Sequence, residues 1–399
     1  MSISLLPLTV PSRLSAGSRA RPLARLAALG LGLVALTVGS TACDNQEPMR
    51  ARPAPAPAPA ADGDAKVVKK ASRPAPSADQ MQLLAKKFFA PLPARAESPN
   101  NPITAEKVSL GRTLYYDPRL SKNHDVSCNT CHLLDKYGVD GTKVSTGHKR
   151  QLGDRNAPTV YNAALHLAQF WDGREPDVEA QSKGPIINPV EMAMADHGVA
   201  VSVLKTIPGY AELFTAAFPE AADPITIDNV AAAIGAFERG LTTPGPFDAF
   251  LKGDEEALSP EALRGLQLFM DVQCVTCHTG PGVGGTQFQK LGSVKAYKVE
   301  DPGRFKISGD EKDRGAFKVP ILRNIAKTGP YFHDGSLKTL PEVVNTMAEY
   351  QTVKGTVSDA ERSDLIAFLN SLTGEIDEEY IRKPTLPENG PKTPAPDPS

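Results

Sequence analysis

Two stretches decide how this chain is read: Cys128-Asn129-Thr130-Cys131-His132 and Cys274-Val275-Thr276-Cys277-His278. Each is C-x-x-C-H, the attachment signature of c-type haem. Two thiols at this spacing reach the two vinyl groups on one porphyrin edge, and the adjacent histidine falls under the iron as an axial ligand. At the Cys and His content of this chain, chance would give one such pattern on the order of once per thousand chains, so two copies decide the matter. A zinc ribbon wants its Cys pairs roughly 15–20 residues apart, whereas these begin 146 residues apart. A redox C-x-x-C has no need of a following His in both copies. The sequence therefore predicts two covalent haem c groups, on Cys128 and Cys131 and on Cys274 and Cys277, with His132 and His278 as proximal ligands.

Outward from these motifs, 399 residues with 41% hydrophobic and 23% charged content give a globular chain long enough for two domains. The formal charge is −2, and the first 42 residues hold Arg13, Arg19, Arg21 and Arg25 with no acid. The remaining chain is acidic, which excludes the basic surface that nucleic-acid binding needs. Residues 1–42 read as an export signal: basic residues, an apolar run at 26–39, then small residues. The run is too short to span a membrane. Cleavage after Ala42 would expose Cys43 as a lipid anchor. Ser40 stands where lipoprotein sites usually carry Leu, and a lone exported thiol is the alternative. Residues 43–79 form a Pro/Ala-rich disordered tether, and 384–399 a disordered tail.

Between them the pattern is mainly α: two cytochrome c-like haem domains in tandem, at 80–243 and 244–383, with long Gly/Pro-rich connecting loops. Ser259-Pro260-Glu261 reads as a helix start. Ser358 and Glu361 make a capping box, with Gly374 as the stop of that helix. Leu340-Pro341-Glu342 opens another helix, on which Val343, Val344 and Met347 share a face. Function turns on the second axial side of each iron. A closed sixth position means electron transfer, and one that opens means small-molecule chemistry. Spacing leaves His124, His148, His166, His197, His333, Met192, Met194, Met270 and Met347 as candidates. Gln181 and Glu191 flank GPIINPVEM and could move protons beside an open haem. Trp171, the single Trp, reads from composition alone as a core residue.

The chain resembles the bacterial di-haem cytochrome c peroxidase family, which includes MauG-type enzymes. The resemblance covers about 80–380 and is carried by CNTCH, LGDRNAPTVYNAALHLAQFWDGRE, AQSKGPIINPVEM, CVTCH and VPILRNIAKTGPYFHDGSLKTLPEVVNTM. It implies that the His132 haem is the peroxidatic, low-potential one. It makes His148 the distal ligand that caps this haem at rest and leaves on activation, Gln181 and Glu191 the pair that binds and cleaves peroxide, and Trp171 an electron conduit. His278 and Met347 become the ligands of the high-potential haem, since a thioether favours ferrous iron. Asn156, Thr328 and Pro330 become an inter-domain calcium site, and His333 a structural residue. The implied activity is reduction of hydrogen peroxide with electrons from a small periplasmic cytochrome c or cupredoxin. The implied location is the periplasm, with a lipid tether if Cys43 is modified. Family members are commonly homodimers, and no independent signal for one stands in this sequence. Two other functions are weighed: a non-enzymatic di-haem electron carrier, with both irons permanently six-coordinate, and a MauG-type protein-oxidising enzyme, which wants Tyr in place of Met347.

Overall fold

The structure, a computed structural model, describes residues 74–399; the export signal, Cys43 and most of the tether lie outside the described residues. A short helix, α1 (Ala78–Ala85), precedes the first domain. That domain holds α2 (Ala105–Tyr116), the single turn α3 (Cys128–Cys131), α4 (Val178–Ile187), α5 (His197–Lys205), α6 (Pro208–Ala217) and α7 (Ile227–Glu238). The second holds α8 (Pro246–Lys252), α9 (Pro260–Asp271), α10 (Phe305–Ser308), α11 (Leu340–Gln351) and α12 (Asp359–Ser371). Among the described residues, the sheet is one antiparallel pair, β1 (Phe288–Lys290) and β2 (Ala316–Lys318), with Phe288 opposite Lys318. No helix of the described residues is long and apolar enough to cross a membrane.

The two domains repeat one device. In the first, α2 crosses α7 at Gly111, where an added Cβ would fall 1.9 Å from the Ala233 carbonyl oxygen and 3.0 Å from Phe237 Cβ. In the second, α9 crosses α12 at Gly265, where a Cβ would fall 1.9 Å from the Asp364 carbonyl oxygen and 2.9 Å from Phe368 Cβ. Each crossing thus pairs a missing side chain with a Phe one turn further along the partner helix. The close approach lets the two backbones meet, and Phe237 and Phe368 are fully buried behind it.

Helix starts follow the sequence. Ser259 accepts from Ala262 N–H, Thr339 and Glu342 form a capping box on α11, and Ser358 and Glu361 form one on α12. Gly374 plays another part than the helix stop expected of it. Leu372 is the C-cap, and at Gly374 a Cβ would lie 1.9 Å from the Thr243 carbonyl oxygen. Its smallness admits the extended segment at Thr243 that links the domains.

The chain ends are exchanged between the cores. Helix α1 and Phe89, which the linear division assigns to the first domain, bury Met81, Ala85 and Phe89 in the second core with Phe247, Leu266, Phe269 and Phe368. Residues 376–383, which that division assigns to the second domain, pack on the first: Ile381 is buried with Tyr115, Tyr161 and Phe237. Tyr380 stacks on Phe237 at 5.2 Å, and Tyr116 Oη donates to the Ile381 carbonyl at 2.6 Å. Residues 384–399, expected to be disordered, run without regular structure over the first domain. Arg119 donates to the Pro387 carbonyl (2.8 Å) and Asn389 Oδ1 (2.6 Å), and Asp397 N–H to the Lys122 carbonyl. A proline-rich segment has little conformational freedom to lose on docking, so few contacts suffice to hold it.

Candidate active site

Helix α3 is one turn, and its C-cap is His132, whose N–H donates to the Cys128 carbonyl at 3.0 Å. The second motif repeats the turn, with His278 N–H donating to the Cys274 carbonyl at 3.0 Å. The rings are held alike. His132 Nδ1 lies 3.0 Å from the Pro158 carbonyl, and His278 Nδ1 lies 3.3 Å from the Val283 carbonyl. A carbonyl fixes the proton on Nδ1 and leaves the Nε2 lone pair for a metal. Burial holds both imidazoles below their ordinary pKa, His278 down to about 4, which favours the neutral form that ligation requires. Gly284 clears room for the second ring, since a Cβ there would meet the Pro320 carbonyl oxygen at 2.2 Å and His278 Nδ1 at 3.1 Å.

Around His278 lies a large cavity with mostly apolar walls. Cys274, Cys277, Val343, Val344 and Met347 all line it, so the face read from α11 does turn toward the second motif. Of the other sulfur and imidazole candidates, His166 and His333 also line this cavity, and the rest lie away from it or are engaged by other groups. Met192 and Met194 are buried in the first core. His197 Nε2 sits 3.0 Å from the Lys183 carbonyl, and His333 stacks on Phe317 at 4.2 Å.

The first motif has different company. Glu191 follows α4, and its carboxylate accepts from Asn188 Nδ2 at 2.9 Å. Burial raises its pKa above the usual carboxylate range, against the opposing pull of Arg174 and Asn188. The Cys131 thiol is pushed up to about 11, mainly by burial, with the Asp140 and Glu191 carboxylates adding to the rise and a hydrogen bond with Ser145 opposing it. Gln181 is half-buried on α4.

His148 lies in the loop that packs on Glu191. Its N–H donates to the Glu191 carbonyl at 2.9 Å, and at Gly147 a Cβ would be 2.2 Å from the Val190 carbonyl oxygen. The ring is buried, with Nδ1 unpartnered and Nε2 3.4 Å from the Ser399 carbonyl. No hydrogen bond among the described residues joins it to His132. The next two residues, Lys149 (φ 54°) and Arg150 (φ 60°), are both left-handed.

The family model for di-haem cytochrome c peroxidase matches residues 105–256, and that for cytochrome c matches 262–373. The chain is 46% identical over 305 residues to the cytochrome c551 peroxidase of Nitrosomonas europaea, covering 76% of this chain and 89% of that protein. It is 42% identical over 301 residues to the cytochrome c551 peroxidase of Pseudomonas aeruginosa, covering 74% and 86%. A crystal structure of a MauG-like protein associated with microbial copper homeostasis matches with a TM-score of 0.67 at 32% identity, over 73% of this chain and 97% of that one.

The chain belongs to the di-haem cytochrome c peroxidase family.

As a member of that family it is a mainly helical oxidoreductase with two covalent haem c groups, and its function is peroxidase chemistry. The residues fit the prosthetic groups: each motif pairs two free thiols with a neutral imidazole whose Nε2 is uncommitted. Trp171, within the family's first block, is fixed at the domain boundary. Its Nε1–H donates to the Asn156 carbonyl at 2.9 Å, its own carbonyl accepts from Lys318 N–H at 2.8 Å, and it lines the second cavity. Asn156, Thr328 and Pro330 line that cavity too, and Asn156 Nδ2 donates to the Thr142 carbonyl at 2.9 Å.

Sequence reasoning missed three features of this peroxidase. Arg155 bridges Asp172 (2.6 Å) and Asp301 (2.6 Å), tying GDRN of the first domain to the second. Gly147 and Gly284 are needed for clearance, which only a folded backbone reveals. His166 meets Lys318 at 3.1 Å, a pairing across 152 positions that no local pattern announces.

Proposed function

We propose that the protein reduces hydrogen peroxide to water at the first haem, with electrons relayed singly through the second: H2O2 + 2 reduced donor + 2 H⁺ → 2 H2O + 2 oxidised donor. The haem on Cys128 and Cys131, when bound, supplies the redox-active iron at which peroxide is reduced. His132 holds that iron, oriented through the Pro158 carbonyl. Glu191 takes the proton from one peroxide oxygen and returns it to the other, while the Gln181 amide orients the substrate. A carboxyl with a raised pKa suits this exchange, because its proton affinity lies nearer the working pH. His278 and Met347 would hold the second iron, and a thioether ligand there would favour the ferrous state and so suit it to accept electrons from the donor. Trp171 carries electrons between the sites.

His148 would hold the first iron on its second side at rest, and its loop would withdraw on activation, with Asn156, Thr328 and Pro330 holding calcium. Two consecutive left-handed residues, each costing on the order of 1–2 kcal/mol, support a loop poised between two arrangements. The donor is a small cytochrome c or cupredoxin, met in the periplasm. Cys43 tethers the enzyme by lipid, which the mass of the mature amino terminus tests, and a homodimer is tested by sedimentation.

Two observations support the reading: a carboxyl raised by burial, Glu191, packs against the His148 loop, and a thioether lines the cavity of the second motif. That thioether also speaks against the MauG-type reading. Among the described residues the only tyrosine lining that cavity is Tyr331, whose hydroxyl is spent on the Ile325 carbonyl at 3.0 Å. Titrating half-reduced protein with peroxide tests the proposal. Turnover should appear with a high-spin first haem; two irons that never accept peroxide or cyanide would reduce the protein to an electron carrier. Glu191→Gln should keep both haem spectra and lose about 10²–10⁴-fold in kcat, and wild-type turnover would remove Glu191 from its role. Chelating calcium should block activation, and indifference to chelator would dismiss the Asn156, Thr328 and Pro330 site.

A further inference from the structure

Lys318, the last residue of β2, is 5% exposed, and no acidic partner meets its ammonium among the described residues. Its Nζ instead lies 3.1 Å from His166 Nδ1. With Lys318 charged, its ammonium has no lone pair, so His166 Nδ1 accepts and Nε2 carries the ring proton. That Nε2 is buried and has no hydrogen-bond partner. Both side chains line the cavity that also holds Cys274, Cys277 and His278. Burial lowers the Lys318 pKa to about 7, as expected of a cation that lacks its counter-charge. Space for the arrangement is built in. At Gly285 a Cβ would fall 2.4 Å from His166 Cδ2, and the Gly285 carbonyl accepts from Leu167 N–H at 2.8 Å, fixing the segment that bears His166. The GPGVGG run thus makes room for an imidazole beside the second motif.

We propose that Lys318 and His166 hold the two propionates of the second haem, the Lys318 ammonium one carboxylate and His166 Nε2–H the other. The donors, one from each domain, leave opposite sides of the imidazole, so each takes its own carboxylate, and together they complete the two groups the protein leaves unsatisfied. The pair neutralises negative charge at that haem's edge, which favours the ferrous state. It also ties the edge to the electron route, since Lys318 N–H donates to the Trp171 carbonyl. These are positioning residues for electron delivery.

The inference rests on the second cavity being the haem site, and the experiment separates the two. In the holoprotein, the midpoint potential of each haem is measured by optical redox titration. Lys318→Met should shift the second haem to lower potential and leave the first unchanged. His166→Phe, which keeps the ring volume, should shift it less in the same direction, and Lys318→Arg should stay near wild type. Redox-difference infrared spectra should show a propionate carboxylate band displaced in Lys318→Met and in His166→Phe. Unchanged second-haem potential and carboxylate band in these variants, with Met ligation intact, would overturn the proposal. If Lys318→Met does not mature, His166→Phe alone decides. One haem per chain in the wild type would instead overturn the cavity assignment.

Discussion

Glu238 closes α7 with its carboxyl buried, beside Arg239, whose guanidinium is committed to Glu179 at 2.7 and 2.8 Å. Burial, then the Glu179 charge, push its pKa to about 8, with Arg239 opposing. The unfolded carboxyl titrates near 4.5, so between these values the folded chain keeps a proton that the unfolded chain has released. Its contribution is therefore most favourable below about pH 4.5, falls as pH rises, and levels off above about 8. Glu238→Gln removes this slope: its melting temperature should gain on wild type steadily from pH 5 to 8, and parallel curves would refute a titrating Glu238. At this scale the two attachment motifs were legible because the chemistry fixes a histidine beside two thiols. The shared face of Val343, Val344 and Met347 was legible from helical spacing. Glu238, Lys318 and His166 were not, because their chemistry comes from burial and from partners far away in sequence.

Among the helices, the crossing of α2 with α7 and that of α9 with α12 rest on a single absent methyl group each. Gly111→Ala and Gly265→Ala should each destabilise the holoprotein by about 3 kcal/mol, measured by denaturant unfolding, whereas an exposed helix Gly→Ala change would stabilise it slightly. An equal or raised midpoint would mean that the helices can part without loss. Capped starts at Ser259 and Ser358 could be read in advance, because a cap uses residues three positions apart. The glycine crossings could not, for a helical glycine looks like any other until its partner is known. The same holds for Gly374, read as a helix stop but required by the Thr243 carbonyl passing beside it.

For the whole molecule, the tandem order of two haem domains was visible in the two motifs, but the assignment of the chain ends to cores was not. Apolar residues such as Phe89 and Tyr380 show that a segment docks without saying on what. Tyr380→Ala, losing the Phe237 stack and a 2.8 Å bond to the Phe237 carbonyl, should cost about 2 kcal/mol. Hydrogen exchange should show lost protection in α2 and α7 while α9 and α12 keep theirs; Phe89→Ala should do the reverse. Protection lost in the sequence-adjacent core would contradict the exchange of ends. The exchange also bears on how such a chain matures as it is made, amino end first. The earlier motif emerges long before the strip that seals its own interior, so the first half stays unfinished until the last residues arrive. Neither half could be produced alone without a bare seam, yet two co-expressed fragments would each bring the piece the other lacks.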